Sequence, residues 1–450
     1  MAISRRKALQ LSGLAVAATA VSGCTGSSEP KPDSKQNTEV HHTDYKAPIA
    51  DTKKPRVVVV GGGWSGLSIA KYTKIFSKDV DVILVEQRHE FISCPMSNLW
   101  LVDKVDLEFL THDYLQAARE NNYTYFQATA TGLDRKNRIL ETSNGNISFD
   151  YLVFAPGIDY DYSRWTDDIA FETRLRQEYP AGFIPGSEHI SLKNKVQNFK
   201  GGNFILTVPS GNYRCLPAPY ERACIIADYF KQKGLKAKVI LLDENNAITI
   251  KKEGFQSAFD ELYSDYIEYI PNTKIKKIDL DNKIVETEFD EIDFEDAAFY
   301  PHVRGAKILE RVGIAKDAKN MLEANINPLT YEVHGEKNIF VTGDSRPMGF
   351  SKSGNTSNSE GHFVAKLIAQ KINKSKIVKW ESPTTTCFSV VSLAPQKAIY
   401  IYTQYAYNKN NATFSFNATY ANEDWKKDGA VNADSVYDWA TALYADMFEK

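Results

Sequence analysis

Five cysteines stand at positions 24, 94, 215, 224 and 387 of a 450-residue chain. Thiols and disulfides are the protein groups that carry reversible two-electron exchange. Cys215 closes the stretch Pro209-Ser210-Gly211-Asn212-Tyr213-Arg214 and precedes Leu216-Pro217-Ala218-Pro219, while Cys387 precedes Leu393-Ala394-Pro395. Prolines in such segments fix rigid loops. Two readings of these cysteines stay open here: a structural bridge, as persists in exported proteins, and a redox pair. Cys224 sits in a helix-like run from Tyr220 to Lys231 and reads as a buried, inert thiol.

A second chemical signal is glycine spacing. Arg56 to Val60 is a short apolar strand, and Gly61-Gly62-Gly63-Trp64-Ser65-Gly66 follows it. A helical stretch from Leu67 to about Phe76 leads to a second apolar strand, Val80 to Val85, which ends at Glu86. Strand, glycine turn, helix, strand and acid make a dinucleotide-binding βαβ unit, with G-x-G-x-x-G at Gly61, Gly63 and Gly66. Gly61 permits the tight turn, Gly63 lets a pyrophosphate reach the backbone, and Gly66 lets helix and strand pack closely. The helix start, with Trp64 and Ser65, offers unpaired N–H groups to phosphates. Glu86 lies 20 residues past Gly66, where a carboxylate accepts from an adenosine ribose.

Two later strands end in small-residue turns. Asp150 to Phe154 runs into Ala155-Pro156-Gly157, and Asn338 to Thr342 runs into Gly343-Asp344. In flavoproteins with two dinucleotide folds, the first returns the chain to the FAD domain and the Asp of the second accepts from the flavin ribityl chain. The chain is therefore expected to be an α/β protein with an FAD domain in two pieces, residues 55–165 and 295–379, and an inserted NAD-like domain at 166–294. The strand Gly202 to Val208 opens that insert. Pro209 to Cys215 follows where nicotinamide binding needs G-x-G-x-x-G, so no NAD site is expected. Cys94, in Phe91-Ile92-Ser93-Cys94-Pro95-Met96, would lie near the isoalloxazine ring. There it either joins the flavin 8α-methyl covalently or lines the pocket as an unlinked small residue.

The chain carries 43% hydrophobic and 25% charged residues and a formal net charge of -3. With no basic stripe, nucleic acid is not an expected partner. Ser4-Arg5-Arg6-Lys7 followed by an uncharged run from Leu11 to Val21 reads as a twin-arginine signal peptide, residues 1–24. Val21-Ser22-Gly23-Cys24 resembles a lipobox, which makes a lipid anchor at Cys24 the expected membrane contact. Residues 25–54 are polar and read as a linker, and His41-His42 within it as solvated histidines. No metal site is expected. Past Trp380 the sequence is rich in aromatics. Ala398 to Tyr407 and Ala412 to Tyr420 read as a hairpin, and Ala433 to Glu449 as a helix, within a C-terminal α+β domain at 380–450.

Several motifs together resemble the flavoprotein subunit of flavocytochrome c sulfide dehydrogenase, within the sulfide:quinone reductase-like flavoproteins. They are Val57 to Gly63, Cys94 with Ser97-Asn98, Ala155-Pro156-Gly157, Tyr213-Arg214-Cys215, Pro219 to Ala223, Gly343-Asp344, Lys352-Ser353-Gly354, and Cys387 with Leu393-Ala394-Pro395. The resemblance implies two Rossmann-like domains of the glutathione reductase type. It implies FAD held covalently by Cys94 and a redox disulfide of Cys215 with Cys387. Glu221 would be the acid–base group, unless it is spent on a salt bridge to Arg222 or another cation. Lys352 would stabilise reduced flavin, or else be a surface lysine. The implied electron acceptor is a c-type cytochrome. No C-x-x-C-H occurs in this sequence, which puts that haem on another polypeptide. A quinone acceptor and a flavin-free assembly role are the alternatives.

Overall fold

The computed structural model describes residues 45–450 apart from 318, 320 and 377. The expected signal peptide, Cys24, His41 and His42 lie outside the described residues. The fold reaches back before residue 55. The Ala47 N–H donates to the Asn146 carbonyl, the Asn146 N–H donates to the Tyr45 carbonyl, and Ala47 is buried. Residues 45–54 therefore belong to the fold and not to the linker. A single small apolar residue with paired backbone is enough to dock the strip, which composition alone does not reveal.

The chain runs through β1 (Arg56–Val60), α1 (Trp64–Phe76), β2 (Asp81–Glu86), β3 (Thr124–Gln127) and β4 (Tyr151–Phe154), then leaves by β5 (Ile158–Asp161). It builds a second unit from β6 (Gly202–Val208), α2 (Ala218–Gln232), β7 (Ala237–Asp243), α3 (Lys252–Leu262), β8 (Ile267–Ile270) and β9 (Asp296–Ala298). It returns through β10 (His302–Gly305) to β11 (Ile339–Val341) and α4 (Gly354–Asn373). It closes with β12 (Thr385–Leu393), β13 (Gln396–Asn408), β14 (Thr413–Asn422) and α5 (Gly429–Phe448).

The first sheet is ordered β11-β4-β1-β2-β3 and is parallel throughout. Its centre is the valine run of β1, all five residues of which are buried. Each such side chain contributes about 1.5–3 kcal/mol on leaving water. Covering both faces of a strand is what makes its sequence apolar without alternation. The second sheet, β8-β7-β6-β9, is also parallel. Asp296 to Ala298 pair with Phe204 to Leu206, so the insert extends to Ala298 and not to residue 294. A three-residue strand carries too little pattern to mark that boundary from sequence. The two crossings, β5 and β10, pair antiparallel from Ile158↔Gly305 to Asp161↔His302. No described helix is long and apolar enough to cross a membrane.

The C-terminal strands form an antiparallel β12-β13-β14 sheet, and α5 returns to the first unit. Asp446 on α5 accepts from Tyr72 on α1 and from Asn358 Nδ2 on α4 (2.7 Å), and pairs with His362 Nε2 (2.9 Å). Burial alone would raise the Asp446 carboxyl, but hydrogen bonds from His362, Tyr72 and Asn358 outweigh it and hold it down to about 2. A carboxyl lower in the folded than in the unfolded chain stabilises the fold above its unfolded value and ceases to do so as pH falls through the folded one. Asp446→Asn is expected to lower the thermal midpoint near neutral pH. It is also expected to shrink the loss of stability between about pH 4 and pH 2. Equal losses in both chains would show that Asp446 is no anchor.

Candidate active site

A cleft of about 470 Å³ opens at the carboxyl ends of β1, β4 and β11. Gly61 has φ +102°, and a Cβ there would lie 2.4 Å from the Ala155 carbonyl oxygen. A Cβ on Gly66 would lie 1.8 Å from the Gly61 carbonyl oxygen, so only glycine lets α1 start here. At Gly63 no atom lies within 4 Å of that position. Any side chain would grow into the cleft instead. Glu86 lines the same cleft, accepting from the Gly62 N–H (2.7 Å) and the Arg88 N–H (2.9 Å). Trp64, Ser65, Ala155, Gly157, Gly343 and Asp344 line the rest. Ser65 Oγ shares a 3.0 Å hydrogen bond with Thr342, which pins α1 to the end of β11. Open backbone at Gly63, the free start of α1 and a carboxylate at each end fit an extended dinucleotide.

Arg214 and Gly354 line this cleft and also a smaller neighbouring cavity of about 50 Å³. Cys94, Cys215, Glu221, Lys352 and Cys387 converge on that cavity. Cys215 holds φ +58°, the left-handed region that side chains rarely adopt. Its N–H donates to the Lys352 carbonyl at 2.7 Å, and Arg214 Nε lies 3.4 Å from Asp344 Oδ2. The insert is thereby stitched to the turn after β11. Cys387 comes from β12. The two cysteines lie within side-chain hydrogen-bonding reach of each other. That hydrogen bond draws the Cys387 thiol down and pushes the Cys215 thiol up, and burial raises Cys215 further.

Glu221, on the first turn of α2, makes no salt bridge to Arg222. Its Oε1 accepts from the Val390 N–H (2.7 Å) and its Oε2 from Asn98 Nδ2 (2.8 Å). Arg222 instead donates to Asn98 Oδ1 (3.0 Å) and to the Ala181 and Gly182 carbonyls. Asn98 thus faces a carboxylate with one end of its amide and a guanidinium with the other. Burial pushes the Glu221 carboxyl up, against these hydrogen bonds and the charges of Lys251 and Arg222. Lys352 is buried, not on the surface, and pairs with Glu323 at 2.7 Å. Cys94 Sγ lies 3.4 Å from the Phe183 carbonyl and 3.8 Å from His189 Nε2. Burial raises the Cys94 thiol, while burial and the charges of Arg222 and Arg214 hold His189 down to about 3, neutral. Cys224 is wholly buried on α2.

In the insert, Glu244 stands just past β7, where a nicotinamide-binding unit would present its ribose acid. It accepts from Ser210 Oγ (2.9 Å) and lies 2.8 Å from His302 Nε2. The acid is occupied by the Pro209-Ser210 turn of its own chain. Among the described residues no cluster of His, Cys, Asp and Glu could hold a metal ion.

Three family models match the chain. The pyridine nucleotide-disulphide oxidoreductase family matches residues 24–163. The central part of the sulfide dehydrogenase [flavocytochrome c] flavoprotein chain matches 190–298. The flavin-binding part of flavocytochrome c sulphide dehydrogenase matches 381–448. The mitochondrial sulfide:quinone oxidoreductase of Dictyostelium discoideum is 22% identical over 76% of this chain and 77% of that one. The flavoprotein chain of sulfide dehydrogenase [flavocytochrome c] from Chlorobaculum thiosulfatiphilum is 51% identical over 43 residues, 10% of this chain and 90% of that sequence. Among solved structures, sulfide:quinone oxidoreductase from Aquifex aeolicus aligns with a TM-score of 0.69 at 16% identity. That alignment covers 87% of this chain and 91% of the other. The chain has the mixed α/β fold of pyridine nucleotide-disulfide oxidoreductases, and FAD is its cofactor.

Asn98→Ala would leave a buried carboxylate oxygen and a buried guanidinium N–H without their shared partner. The expected cost is about 1–3 kcal/mol, read as a lower thermal midpoint. An unchanged midpoint would mean that water replaces the amide.

Proposed function

We propose that this chain is a sulfide-oxidising flavoprotein like the flavocytochrome c sulfide dehydrogenases and sulfide:quinone oxidoreductases it resembles, that it oxidises sulfide at the Cys215–Cys387 pair, and that it passes the electrons to a separate c-type cytochrome. The observation that carries this reading is the meeting of the two thiols from the insert and from β12 in a cavity bordering the dinucleotide cleft. We read the two parallel sheets as paired dinucleotide domains of the glutathione reductase type. The first carries FAD, and the second, its ribose acid already engaged, takes no nicotinamide.

In the oxidised enzyme the two sulfurs form a disulfide. Hydrosulfide attacks one of them, a sulfur–sulfur bond forms to the substrate, and the bridge opens to leave a thiolate. Glu221, raised by burial and held by Asn98 and Val390, takes up the proton that hydrosulfide gives away. Asp344, Gly157 and the start of α1 hold FAD, and the Lys352 ammonium sits behind the Asp344 turn. FAD supplies the two-electron acceptor that hands single electrons onward. Cys94, at the mouth of the thiol cavity, is the residue that attaches it covalently. Arg5-Arg6 and Cys24 support export of the folded protein and a lipid anchor, with the enzyme facing the periplasm. Two flavocytochrome models covering 190–298 and 381–448 favour the cytochrome acceptor. The quinone oxidoreductase relatives favour a quinone, the second reading.

Sulfide should bleach the flavin of the purified enzyme, and acid precipitation should leave the yellow colour in the pellet. Cys94→Ala is expected to release flavin to the supernatant, and Cys387→Ser to keep flavin but lose bleaching. Bleaching that survives Cys387→Ser would remove the pair from the reaction. Reoxidation by cytochrome c rather than by a short-chain quinone would assign the acceptor.

A further inference from the structure

Lys251 is a residue that nothing in the sequence motifs picks out. It sits immediately before α3 with φ +52° and is 3% exposed. Its ammonium donates to the Cys387 carbonyl at 3.1 Å and to Ser389 Oγ at 2.7 Å. Both partners are neutral. Among the described residues it makes no salt bridge; Glu221 and Glu423 act on it only as more distant charges. Every other deeply buried ammonium or guanidinium around the site has a carboxylate or several carbonyls: Arg346 pairs with Glu360, Lys352 with Glu323, and Arg222 bonds Ala181 and Gly182. A buried cation with no carboxylate in contact is costly unless a counter-charge is created beside it. Opening a Cys215–Cys387 bridge creates one.

Resting on the reading of the thiols as a sulfide-reactive pair, we propose that Lys251 is the positioning residue that makes Cys387 the thiolate of the opened pair and thereby directs sulfide to Cys215. Hydrosulfide forms a bond to Cys215 Sγ, the Cys215–Cys387 bond breaks, and its electron pair stays on Cys387 beside the ammonium. The substrate proton moves to Glu221 or remains on the new persulfide, so charge and atoms balance without a further reactant. The charged and titratable groups facing this arrangement come from four directions. Cys215 and Glu221 lie at the start of α2, Lys251 before α3, Glu423 after β14, and Cys94 across the cavity. Of these only Lys251 is a cation acting on Cys387, and its strongest charge interaction is with that thiol, ahead of Glu221 and Cys215. Arg214 and Arg222 act on Cys94, and Arg222, Tyr213 and Tyr300 also face Cys215 and not Cys387. The ammonium also stabilises the opened pair relative to the bridge, which makes the bridge a readier oxidant.

The test uses the full-length, flavin-loaded enzyme with its pair reduced. Alkylation of Cys387 by iodoacetamide is followed against pH by peptide mass spectrometry. Cys387 in the parent enzyme is expected to react with a midpoint below that of an ordinary thiol. Lys251→Arg should stay close to it, whereas Lys251→Met should move up by at least about one pH unit. The same variant should shift the thiol–disulfide equilibrium against a small dithiol toward the bridge by about tenfold. A purely structural lysine would move neither reading, and an unchanged midpoint in folded Lys251→Met overturns the proposal. Should Lys251→Met lose its flavin, Ser389→Ala and Lys251→Arg decide. Both keep the charge and are expected to keep the midpoint, and a rise in both overturns the proposal. Trapping after one equivalent of sulfide should place the persulfide on Cys215, and a persulfide on Cys387 likewise overturns it. A parent enzyme that does not open with sulfide would sink the sulfide reading while leaving the alkylation result intact.

Discussion

A single backbone hydrogen bond, from the Cys215 N–H to the Lys352 carbonyl, fixes where the two halves of this molecule meet. Cys215 reaches it only with a positive φ, a conformation that a cysteine adopts at some cost. The ion pair of Arg214 with Asp344 repeats the connection one residue away. Together they bring the insert's first turn against the turn after β11. Without that stitch the thiol would lie at the end of a sheet with no cofactor cleft beside it. In a nicotinamide-binding unit the same turn is kept open for a pyrophosphate. Here Tyr213, Arg214 and Tyr300 fill it, and the Tyr300 hydroxyl bonds the Arg214 carbonyl at 2.9 Å.

The cavity gathers charged groups that are individually expensive to bury. Asn98 resolves part of that cost, because its amide presents a donor to Glu221 and an acceptor to Arg222. This arrangement keeps the carboxylate from pairing directly with the guanidinium. Burial therefore leaves the Glu221 carboxyl raised, where a direct salt bridge would hold it ionised.

The two thiols are chemically unequal although they share one hydrogen bond. Lys251 acts most strongly on Cys387, Arg222 acts on Cys215, and the raised carboxyl acts on both. An asymmetric pair has a preferred site of attack and a preferred leaving sulfur, which thiol exchange rewards.

The βαβ unit was legible in the sequence because its constraints are local. Gly61, Gly63 and Gly66 answer to the backbone within a few residues, and the apolar runs of β1 and β2 answer to burial on both faces. The strand Gly202–Val208, the hairpin after Trp380 and the last helix were legible for the same reason, as was the broken glycine pattern at Pro209 to Cys215. Asn98, Arg214 and Arg222 stood inside recognisable stretches, yet their partners lie 31 to 130 residues away in the chain, and no spacing announces that. Lys251 and His189 carried no signal at all, being single polar residues whose burial follows from packing. The end of the insert at Ala298 and the docking of Ala47 were hidden because both rest on a few backbone pairings. Residue type and local spacing thus determined the elements and the chemistry available. Only the tertiary structure decided which thiol faces which charge, because that depends on contacts between segments the sequence holds far apart.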